Sequence, residues 1–429
     1  MSDLGWILSL GFAGLLLLGV PFIFALGITS LVGLMVVDID VIVLAQRFVS
    51  GTQSFSLLAI PFFVLAGDLM TQGGLSRRLV AVADACVRHV QGGLGIVTVL
   101  SATFFAAISG SAPATTAAIG SIMIPEMAKR GYTIEFAAAL AIAAGIIGPI
   151  IPPSIPLVLF ALVSDTSIGF LFLGGIIPGL LLGAVQMGLV GFTAKRRGFP
   201  VEKRVPLREL PRITWEATPA LLMPVILLGC MYSGITTPTE AAAVAAFYAL
   251  LLSWLLYRSL TLGGVYRSLV ASARPTVSIS MLIAGALVFN FVITSENIPK
   301  TLSAMLATWE MSPYVFLFAV NVLLLVLGCF LEGTTIILVI LPVLLPTAQH
   351  LGVDMVHFGV MCVINIMIGL VTPPYGLLLF MMNKIANISL REMVVELLPF
   401  LYVTLGALAL ITYVPGFVLW LPRLMGYTG

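Results

Sequence analysis

Long apolar runs are the feature that most constrains this chain, because they recur from one end of its 429 residues to the other. Leu4–Val37, Gly169–Ala194 and Leu397–Leu421 are examples, and each can cross about 30 Å of hydrocarbon. Only 9% of the residues are charged and 60% are hydrophobic, whereas about a quarter of the residues in soluble domains are charged. Backbone polar groups find no water inside a bilayer, so we predict an all-α polytopic membrane protein.

Charge and cysteine content exclude several other classes. A net charge of +2 is too small to indicate nucleic-acid binding. The four cysteines and three histidines are scattered, without the short spacings of a zinc site or a disulfide framework. We therefore expect no transition metal. No basic residue precedes the first apolar run, so we also expect no cleaved signal peptide.

Breaks in hydropathy divide the chain into crossings and two unusual segments. The predicted crossings are 4–19, 21–37, 54–72, 133–163, 168–195, 214–233, 238–257, 275–296, 355–384 and 396–424. The stretches 92–128 and 312–349 are too long for one crossing, and polar residues lie at their middles, Ser109-Gly110-Ser111 and Glu332-Gly333-Thr334. We predict that both are re-entrant hairpins, which enter and leave the membrane on the same side.

Basic residues predict the orientation, since Lys and Arg concentrate on the cytoplasmic side of bacterial membrane proteins. With both termini outside, seventeen of the twenty Lys and Arg residues fall inside, and only Arg47, Lys300 and Arg423 do not. The basic, proline-containing segment 196–212 becomes a cytoplasmic linker. It separates a first half, 1–195, from a second half, 213–429.

The two halves are related by an internal repeat. A shift of 221 residues pairs Pro125 with Pro346, Gly131 with Gly352, Gly148 with Gly369, and Pro152-Pro153 with Pro373-Pro374. A shift of 217 residues pairs Pro21 with Pro238. Each half contains five crossings and one hairpin, and an odd number of crossings inverts the second copy. Inverted repeats of this kind are typical of secondary transporters.

Two adjacent prolines interrupt one predicted helix in each half, at 148–154 and 369–376. Proline removes a backbone donor and frees carbonyl groups that need another partner. Those carbonyls and the Ser154 or Thr372 hydroxyl are oxygen ligands suited to Na⁺, while the N-terminus of the resumed helix suits an anion. Simple proline kinks are the alternative. Two copies at equivalent places, each after a polar hairpin tip, favour a binding site.

The hairpin tips supply further candidates. Ser109, Ser111 and Thr115 crowd hydroxyl groups and small residues into the first tip, whereas Thr116 is interpreted as a packing residue. Glu332 in the second tip is costly in mid-membrane, so it should face protein or water. It could bind a cation, relay a proton or cap the following helix, and we favour a cap or an indirect role.

The other polar residues in apolar segments have simpler interpretations. Asp68 and Asp165 lie near predicted span ends, where they reach interfacial water. Asn290, Asn321 and Asn365 are expected to join helices by hydrogen bonds. Glu240 lies in the first turn after Thr237-Pro238, where an acidic group stabilises a helix N-terminus.

The sequence contains no phosphate-binding G-x-x-x-x-G-K-[ST] loop, so transport energy must come from an ion gradient. A membrane-embedded enzyme is the main competing class, but no H-E-x-x-H motif is present and no histidine lies in the polar segments. An open channel is a weaker alternative, because paired re-entrant hairpins suit alternating access. We therefore predict a transporter and not an enzyme.

At these residues the chain resembles the large (DctM-type) membrane subunit of the tripartite ATP-independent periplasmic, or TRAP, transporters. The resemblance covers nearly the whole sequence, including SFSLLAIPFFVLAGDL at Ser54–Leu69, TPTEAAA at Thr237–Ala243, and the segments Ser109–Pro153 and Glu332–Gly376. It implies an elevator-type ion-transporter fold, in which the hairpins and broken helices move past a fixed scaffold. It also implies a bacterial inner-membrane location and two partners: a small four-helix (DctQ-type) membrane subunit and a periplasmic (DctP-type) substrate-binding protein.

The same resemblance implies the site residues. Sodium sites between each tip and its broken helix correspond to Ser109, Gly110, Ser111, Gly145 and Gly148 in the first half, and to Gly333, Thr334, Gly369 and Thr372 in the second. The substrate would lie between them, near Ser111, Thr115, Pro153, Ser154, Thr335, Pro374 and Tyr375. Sodium is the expected coupling ion, and no other cofactor is implied.

The substrate class follows from the resemblance only in outline. It implies small organic anions, with C4-dicarboxylates, sugar acids, sialic acid and keto acids all compatible. No Lys or Arg lies in either motif to hold a carboxylate. Bound Na⁺ and helix N-termini must then balance the substrate charge. A proton-coupled transporter of the same fold is the alternative.

Overall fold

The computed structural model describes residues 8, 10–12, 14–16, 18–206, 208–295 and 311–429, and nearly all of these residues lie in helices or short connections. Within these residues, seven helices are long and apolar enough to cross a membrane. The predicted all-α polytopic class is thus confirmed. The predicted crossing 4–19 is described only in part, at residues 8, 10–12, 14–16 and 18–19.

The helices follow one another in two similar series. The first contains α1 Phe22–Val36, α2 Ile42–Thr52, α3 Ala59–Gln72, α4 Leu75–Val87, α5 Gly93–Ser109, α6 Ala112–Lys129, α7 Ile134–Gly145, α8 Ile155–Ser164 and α9 Ile168–Arg197. The second contains α10 Leu210–Tyr232, α11 Pro238–Leu256, α12 Leu262–Ser295, α13 Pro313–Phe330, α14 Gly333–His350, α15 Met355–Gly369, α16 Leu377–Ala386, α17 Leu390–Tyr413 and α18 Gly416–Leu424. One π-helical turn lies in α11 and another in α14, at Leu252–Leu256 and Ile336–Ile340.

Helix bounds recur at the shift that the sequence predicts. Moved by 221 residues, α5 and α6 span 314–330 and 333–350, and the structure places α13 at Pro313–Phe330 and α14 at Gly333–His350. The helix predicted over 133–163 is two helices, α7 and α8, and that over 355–384 is α15 and α16. Both prolyl pairs lie in the intervening breaks, and both Pro–Pro bonds are cis.

The first hairpin turns within two residues. Gly110 ends α5 with a left-handed φ of 58°, which glycine adopts without steric cost. Ser111 then begins α6, and its side chain accepts a hydrogen bond from the Ala114 N–H at 3.4 Å. Pro113 lies in the first turn of α6, where its missing N–H costs nothing. A tight, uncharged tip follows from these three residues.

The second hairpin turn corrects one expectation. Glu332 occupies the N-cap position of α14, but its carboxylate accepts no hydrogen bond from the amides of that helix. Its described partner is instead the Thr334 hydroxyl at 3.5 Å. Of the two roles that we favour for Glu332, the cap is therefore wrong, and the indirect role stays a prediction.

Other polar residues behave as expected. Thr237 and Glu240 form a reciprocal capping box at the start of α11, with the Thr237 N–H donating to the Glu240 carboxylate at 2.7 Å. The Asn365 amide donates to the Asn321 carbonyl at 3.0 Å, which joins α15 to α13. The Asn290 amide donates to the Leu338 carbonyl at 3.0 Å, which joins α12 to α14.

Several elements differ from the prediction. Helices α2 and α4 were not expected, because they are short and carry polar side chains on one face. Helix α12 begins thirteen residues before the predicted start at 275 and continues through Pro275, since Arg267 and Arg274 lower the hydropathy of its first half. The predicted crossing 396–424 is divided into α17 and α18, because Pro415 interrupts it.

The linker between the halves is docked and not free. Glu202 pairs with Arg88 at 3.6 Å and also with Arg130, so it bridges the segments that flank the first hairpin. The Arg88 side chain also donates to the Lys203 carbonyl at 2.8 Å. Beside it Phe199 packs on Tyr132, with ring centroids 4.3 Å apart, and burial raises the pKa of Tyr132 to about 12.

Neutralising Glu202 should release this linker. A partly exposed ion pair is worth up to about 1 kcal/mol, so Glu202→Gln should raise the undocked population about fivefold. Tryptic cleavage after Lys203 and Arg204 in the purified chain, followed by mass spectrometry, would report it. Glu209→Gln, in the same linker and without a side-chain cap bond, is the control. Equal cleavage rates in the two variants would show that the ion pairs do not hold the linker.

Candidate functional site

A network of hydroxyl groups organises the tip of the first hairpin. The Ser109 and Thr115 hydroxyl oxygens lie 2.7 Å apart, and the Thr115 hydroxyl is 2.9 Å from the Ser111 carbonyl. Both Ser109 and Thr115 are buried. Each hydroxyl oxygen keeps a lone pair beyond these bonds. The tip is therefore a compact cluster of oxygen atoms without a formal charge.

This tip packs directly on the first broken helix, at its two glycines. A Cβ atom on Gly148 would lie 2.5 Å from the Thr115 hydroxyl oxygen and 2.9 Å from the Ser111 carbonyl, and one on Gly145 would overlap the Thr116 hydroxyl. No larger residue fits at either position without a shift. The structure thus brings together the residues that the sequence predicts for the first sodium site.

The prolyl segment of the same break closes over the tip. A Cβ atom on Gly110 would lie 2.5 Å from the Pro153 carbonyl oxygen. Ser154 is fully buried; its hydroxyl bonds to the Pro149 carbonyl and accepts from the Leu157 N–H at 3.2 Å, which begins α8. Both hydrogen bonds of Ser154 therefore shape the break.

Thr116 was underestimated by the sequence interpretation. Its hydroxyl is fully buried and has no hydrogen-bond partner within the described part of the chain. It lies against Gly145, beside the oxygen cluster of the tip. A buried polar atom without a partner costs about 1 to 3 kcal/mol. The position therefore fits an oxygen ligand that a bound cation would satisfy.

The second break is built differently. Gly369 faces Gly328 of α13, where a Cβ on Gly369 would lie 2.6 Å from the Gly328 Cα. The Gly376 N–H donates to the Cys329 carbonyl at 3.1 Å, which fixes the break to the same helix. The Thr372 hydroxyl donates to the Ile368 carbonyl at 2.7 Å. Thr372 thus presents its oxygen lone pairs at the break.

The first arm of the second hairpin therefore contributes more than the sequence predicts. Gly328 approaches Gly369, whereas Gly333 packs on the Ile366 side chain, 2.9 Å from where its Cβ would be. The Thr334 hydroxyl donates to the Glu332 carboxylate. Gly328 lies among bulky residues in α13. This pattern could have predicted the contact, because small residues mark close helix approaches in membranes.

A cavity of about 560 Å³ lies between the two hairpin tips. Its walls combine both tips, both breaks and helices α3 and α12. The lining includes Ser109, Gly110, Ser111, Pro149, Ile155, Glu332, Gly333, Thr334, Leu370 and Leu377, with Gly67, Asp68 and Thr71 from α3 and Ala271, Ser272 and Pro275 from α12. This volume lies within the range of small-ligand pockets.

The predicted substrate residues are only partly brought to this cavity. Ser111 lines it, but six others do not: Thr115, Pro153, Ser154, Thr335, Pro374 and Tyr375. Thr115, Ser154 and Thr335 are buried behind the surface. Tyr375 is about half exposed elsewhere and packs on Phe380, with centroids 4.8 Å apart.

The wall formed by α3 and α12 was missed altogether. Asp68 was interpreted as an interfacial residue, yet it lines the cavity and accepts a hydrogen bond from the Gln72 amide at 2.7 Å. Gly67 packs on the first tip, where its Cβ would lie 3.3 Å from the Ser109 Cα. Gly67 and Ser109 lie about forty positions apart in the sequence, so no local pattern could predict their contact.

The lining of the cavity is acidic. Asp68 and Glu332 are its titratable lining residues, and no Lys or Arg is among them. This agrees with the absence of basic residues from the two sequence motifs. Hydroxyl groups supply most of the remaining polar surface. The arrangement can bind cations and hydroxyl groups directly, and can hold an anion only with a counter-ion.

Comparison with known proteins identifies this architecture. Residues 9–417 match the model of the family described as tripartite ATP-independent periplasmic transporter, DctM component. The chain belongs to this family. It is 42% identical over 383 residues to the C4-dicarboxylate TRAP transporter large permease protein DctM of Pseudomonas aeruginosa, covering 89% of this chain and 90% of the relative.

Two further comparisons extend the likeness. The sialic acid TRAP transporter large permease protein SiaM of Vibrio cholerae is 39% identical over 419 residues, which cover 97% of this chain and 98% of the relative. The crystal structure of the Alcanivorax borkumensis YdaH transporter aligns with a TM-score of 0.65 at 13% identity, over 87% of each chain. The latter supports the fold alone. This DctM-family chain is thus a multi-pass permease of the inner membrane.

Overpacking the contact between the first tip and its break should loosen the tip. Gly145→Ala forces a methyl group onto the Thr116 hydroxyl, and overpacking costs about 1 to 3 kcal/mol. We expect amide hydrogen exchange in residues 109–116 to rise about tenfold. Gly188→Ala in α9 is the control, because its Cβ meets nothing within 4 Å. Unchanged exchange in Gly145→Ala would contradict the docked geometry.

Proposed function

We propose that this chain forms the transport pathway of a sodium-driven importer of small organic anions. The observation that carries the proposal is the pairing of each hairpin tip with a broken helix around a shared cavity. Freed carbonyls at helix breaks coordinate Na⁺ in secondary transporters, and the resumed helices direct their N-termini toward an anion. The relatives named for C4-dicarboxylate and sialic acid support the anionic class.

The first sodium position is assigned to the tip and break of the first half. Ser109, Thr115 and Thr116 offer hydroxyl oxygens there, and Gly145 and Gly148 leave room for the backbone to approach. Oxygen atoms without formal charge suit a monovalent hard cation. The second position is assigned to Thr372 and the carbonyls near Gly369, where Gly328 permits the same close approach.

The composition of the cavity wall supports an elevator-type mechanism. The wall combines the two tips and breaks with α3 and α12. Gly67 lets the first tip lie close to α3 without a side chain between them. Movement of the hairpin side past α3 and α12 would carry the cavity contents across the bilayer. We assign both chain termini to the periplasmic side on the distribution of basic residues.

The proposed transporter needs two partners. A small DctQ-type membrane subunit would associate with this chain in the membrane, and a periplasmic DctP-type protein would deliver the anion. These assignments rest on membership in the family. The chain itself contributes the ion sites and the pathway.

Removing the Thr372 hydroxyl should weaken sodium coupling. Loss of one oxygen ligand costs about 1 to 1.5 kcal/mol, so Thr372→Ala should raise the half-saturating sodium concentration about tenfold. Uptake into proteoliposomes, with both partner proteins present, is measured over a sodium series. Thr372→Ser retains the oxygen and should remain within about twofold of the parent. An identical sodium dependence in Thr372→Ala would remove Thr372 from the site.

Proton coupling is the second candidate, and the position of Glu332 favours it. This carboxylate lines the cavity and caps no helix. Under sodium coupling, an inward sodium gradient alone drives uptake and Glu332→Gln retains the sodium response. Under proton coupling, uptake follows a pH gradient without sodium, and Glu332→Gln abolishes that response. Proteoliposomes with each gradient imposed separately distinguish the two.

A further inference from the structure

Tyr257 links three segments that each carry an arginine, outside the transport cavity. The Arg78 guanidinium lies over the Tyr257 ring, 3.8 Å from its centroid, which brings α4 against the end of α11. Arg258 follows Tyr257 directly. The Tyr257 hydroxyl donates to the Glu216 carbonyl at 2.8 Å, and Arg212 pairs with the Glu216 carboxylate at 2.9 Å. Arg78 on α4, Arg212 on α10 and Arg258 just after α11 are thus linked through Tyr257 and Glu216.

The cluster lies at the level where membrane spans end. The span Pro238–Leu256 ends one residue before Tyr257, and the span Leu210–Tyr232 begins two residues before Arg212. Large aromatic residues around it are exposed, with Trp215 at 78% and Tyr266 at 69%. Trp and Tyr are enriched where hydrocarbon meets the headgroup layer. The surface therefore combines a positive charge with an apolar border.

The backbone holds Arg258 in an unusual conformation. Its φ of 48° is left-handed, which is uncommon for a residue other than glycine. The turn is fixed on both sides, since the Ser259 N–H donates to the Ser253 carbonyl at 3.0 Å and the Ser259 hydroxyl bonds to the Gly73 carbonyl at 2.8 Å. Arg258 itself remains exposed and has no ion-pair partner within the described residues. A fixed backbone with a free guanidinium pre-organises a donor for an incoming anion.

We propose that Arg78, Arg212 and Arg258 form a binding site for the phosphodiester headgroup of an anionic phospholipid. Guanidinium groups match phosphate oxygens with paired hydrogen bonds. Three arginines and Glu216 together carry a net charge of +2. This charge attracts an anionic headgroup more strongly than a zwitterionic one. Trp215, Tyr266 and Leu262 border the acyl chains. A lipid here would fasten α4, which leads into the first hairpin, to α10 and α11.

Lipid titration of the full-length chain tests the site. The delipidated protein in a neutral detergent receives short-chain phosphatidylglycerol or phosphatidylcholine, and native mass spectrometry counts the bound molecules. We expect phosphatidylglycerol to bind about tenfold more tightly. Equal affinity for the two lipids would overturn the proposal. Displacement by inorganic phosphate at the same concentration as the lipid would also overturn it, because free phosphate would then be the ligand.

Paired variants distinguish lipid binding at this site from an effect of the net charge of the protein. Arg78→Gln combined with Arg258→Gln should lower the affinity for phosphatidylglycerol about tenfold or more. Arg204→Gln combined with Arg391→Gln removes the same charge from exposed positions elsewhere and should leave it unchanged. If both double variants lose the same affinity for phosphatidylglycerol, net charge explains the binding and the proposed site is rejected.

A lysine double variant and the complex with the small membrane subunit provide two further tests of lipid binding. Arg78→Lys combined with Arg258→Lys keeps the charge and should retain a preference for phosphatidylglycerol even if the glutamine pair folds poorly. The complex with the small membrane subunit should bind the lipid as the isolated chain does. Loss of binding in the complex alone would show that a protein surface, and not a lipid, covers the cluster.

Discussion

Backbone groups inside a bilayer have no water to bond with, and this constraint explains the centre of the molecule. Each Pro–Pro pair stops a helix in mid-membrane and frees carbonyl groups there. In the first half those groups are covered by a hairpin tip, with Gly110 under the Pro153 carbonyl and Gly148 against Thr115. In the second half the first hairpin arm covers them through Gly328 and Gly369. The first break is tolerated because protein surrounds it, whereas Pro374 and Tyr375 leave the second break partly exposed.

The repeat reproduces the helix bounds but not the details of the contacts. The 221-residue shift maps α5 and α6 onto α13 and α14 within one residue. Yet the first tip contributes hydroxyls from Ser109 and Thr115, whereas the second contributes Glu332 and a π-helical turn. Once the two copies face different parts of the cavity, nothing requires the same side chains in both. We infer that the two proposed cation positions differ in strength.

The sequence predicts those features of the structure that neighbouring residues determine, and it misses those that depend on contacts between distant helices. Both hairpins and both breaks could be found, because glycine, proline and hydroxyl residues interrupt otherwise apolar runs. Helices α2 and α4 could not, since short amphipathic helices lack the apolar length of a span. The cavity wall at Asp68 and Ser272 was missed because it depends on α3 and α12 meeting the tips. Thr116 was judged as packing, and only its buried, unpartnered hydroxyl reveals more.

The acidic lining of the cavity favours the proposed coupling of the anion to a cation. Two like charges 6 Å apart repel by about 3 kcal/mol at an effective dielectric constant of about 20. An anion between Asp68 and Glu332 meets that repulsion from both sides, and no lining Lys or Arg offsets it. Helix N-termini contribute only about 1 kcal/mol each. Under the proposed sodium coupling, cations bound at the tips supply the positive charge that the anion needs, so binding of the driving ion strengthens binding of the substrate. Under the proton-coupled alternative, a proton on Glu332 would remove one of the two negative charges instead.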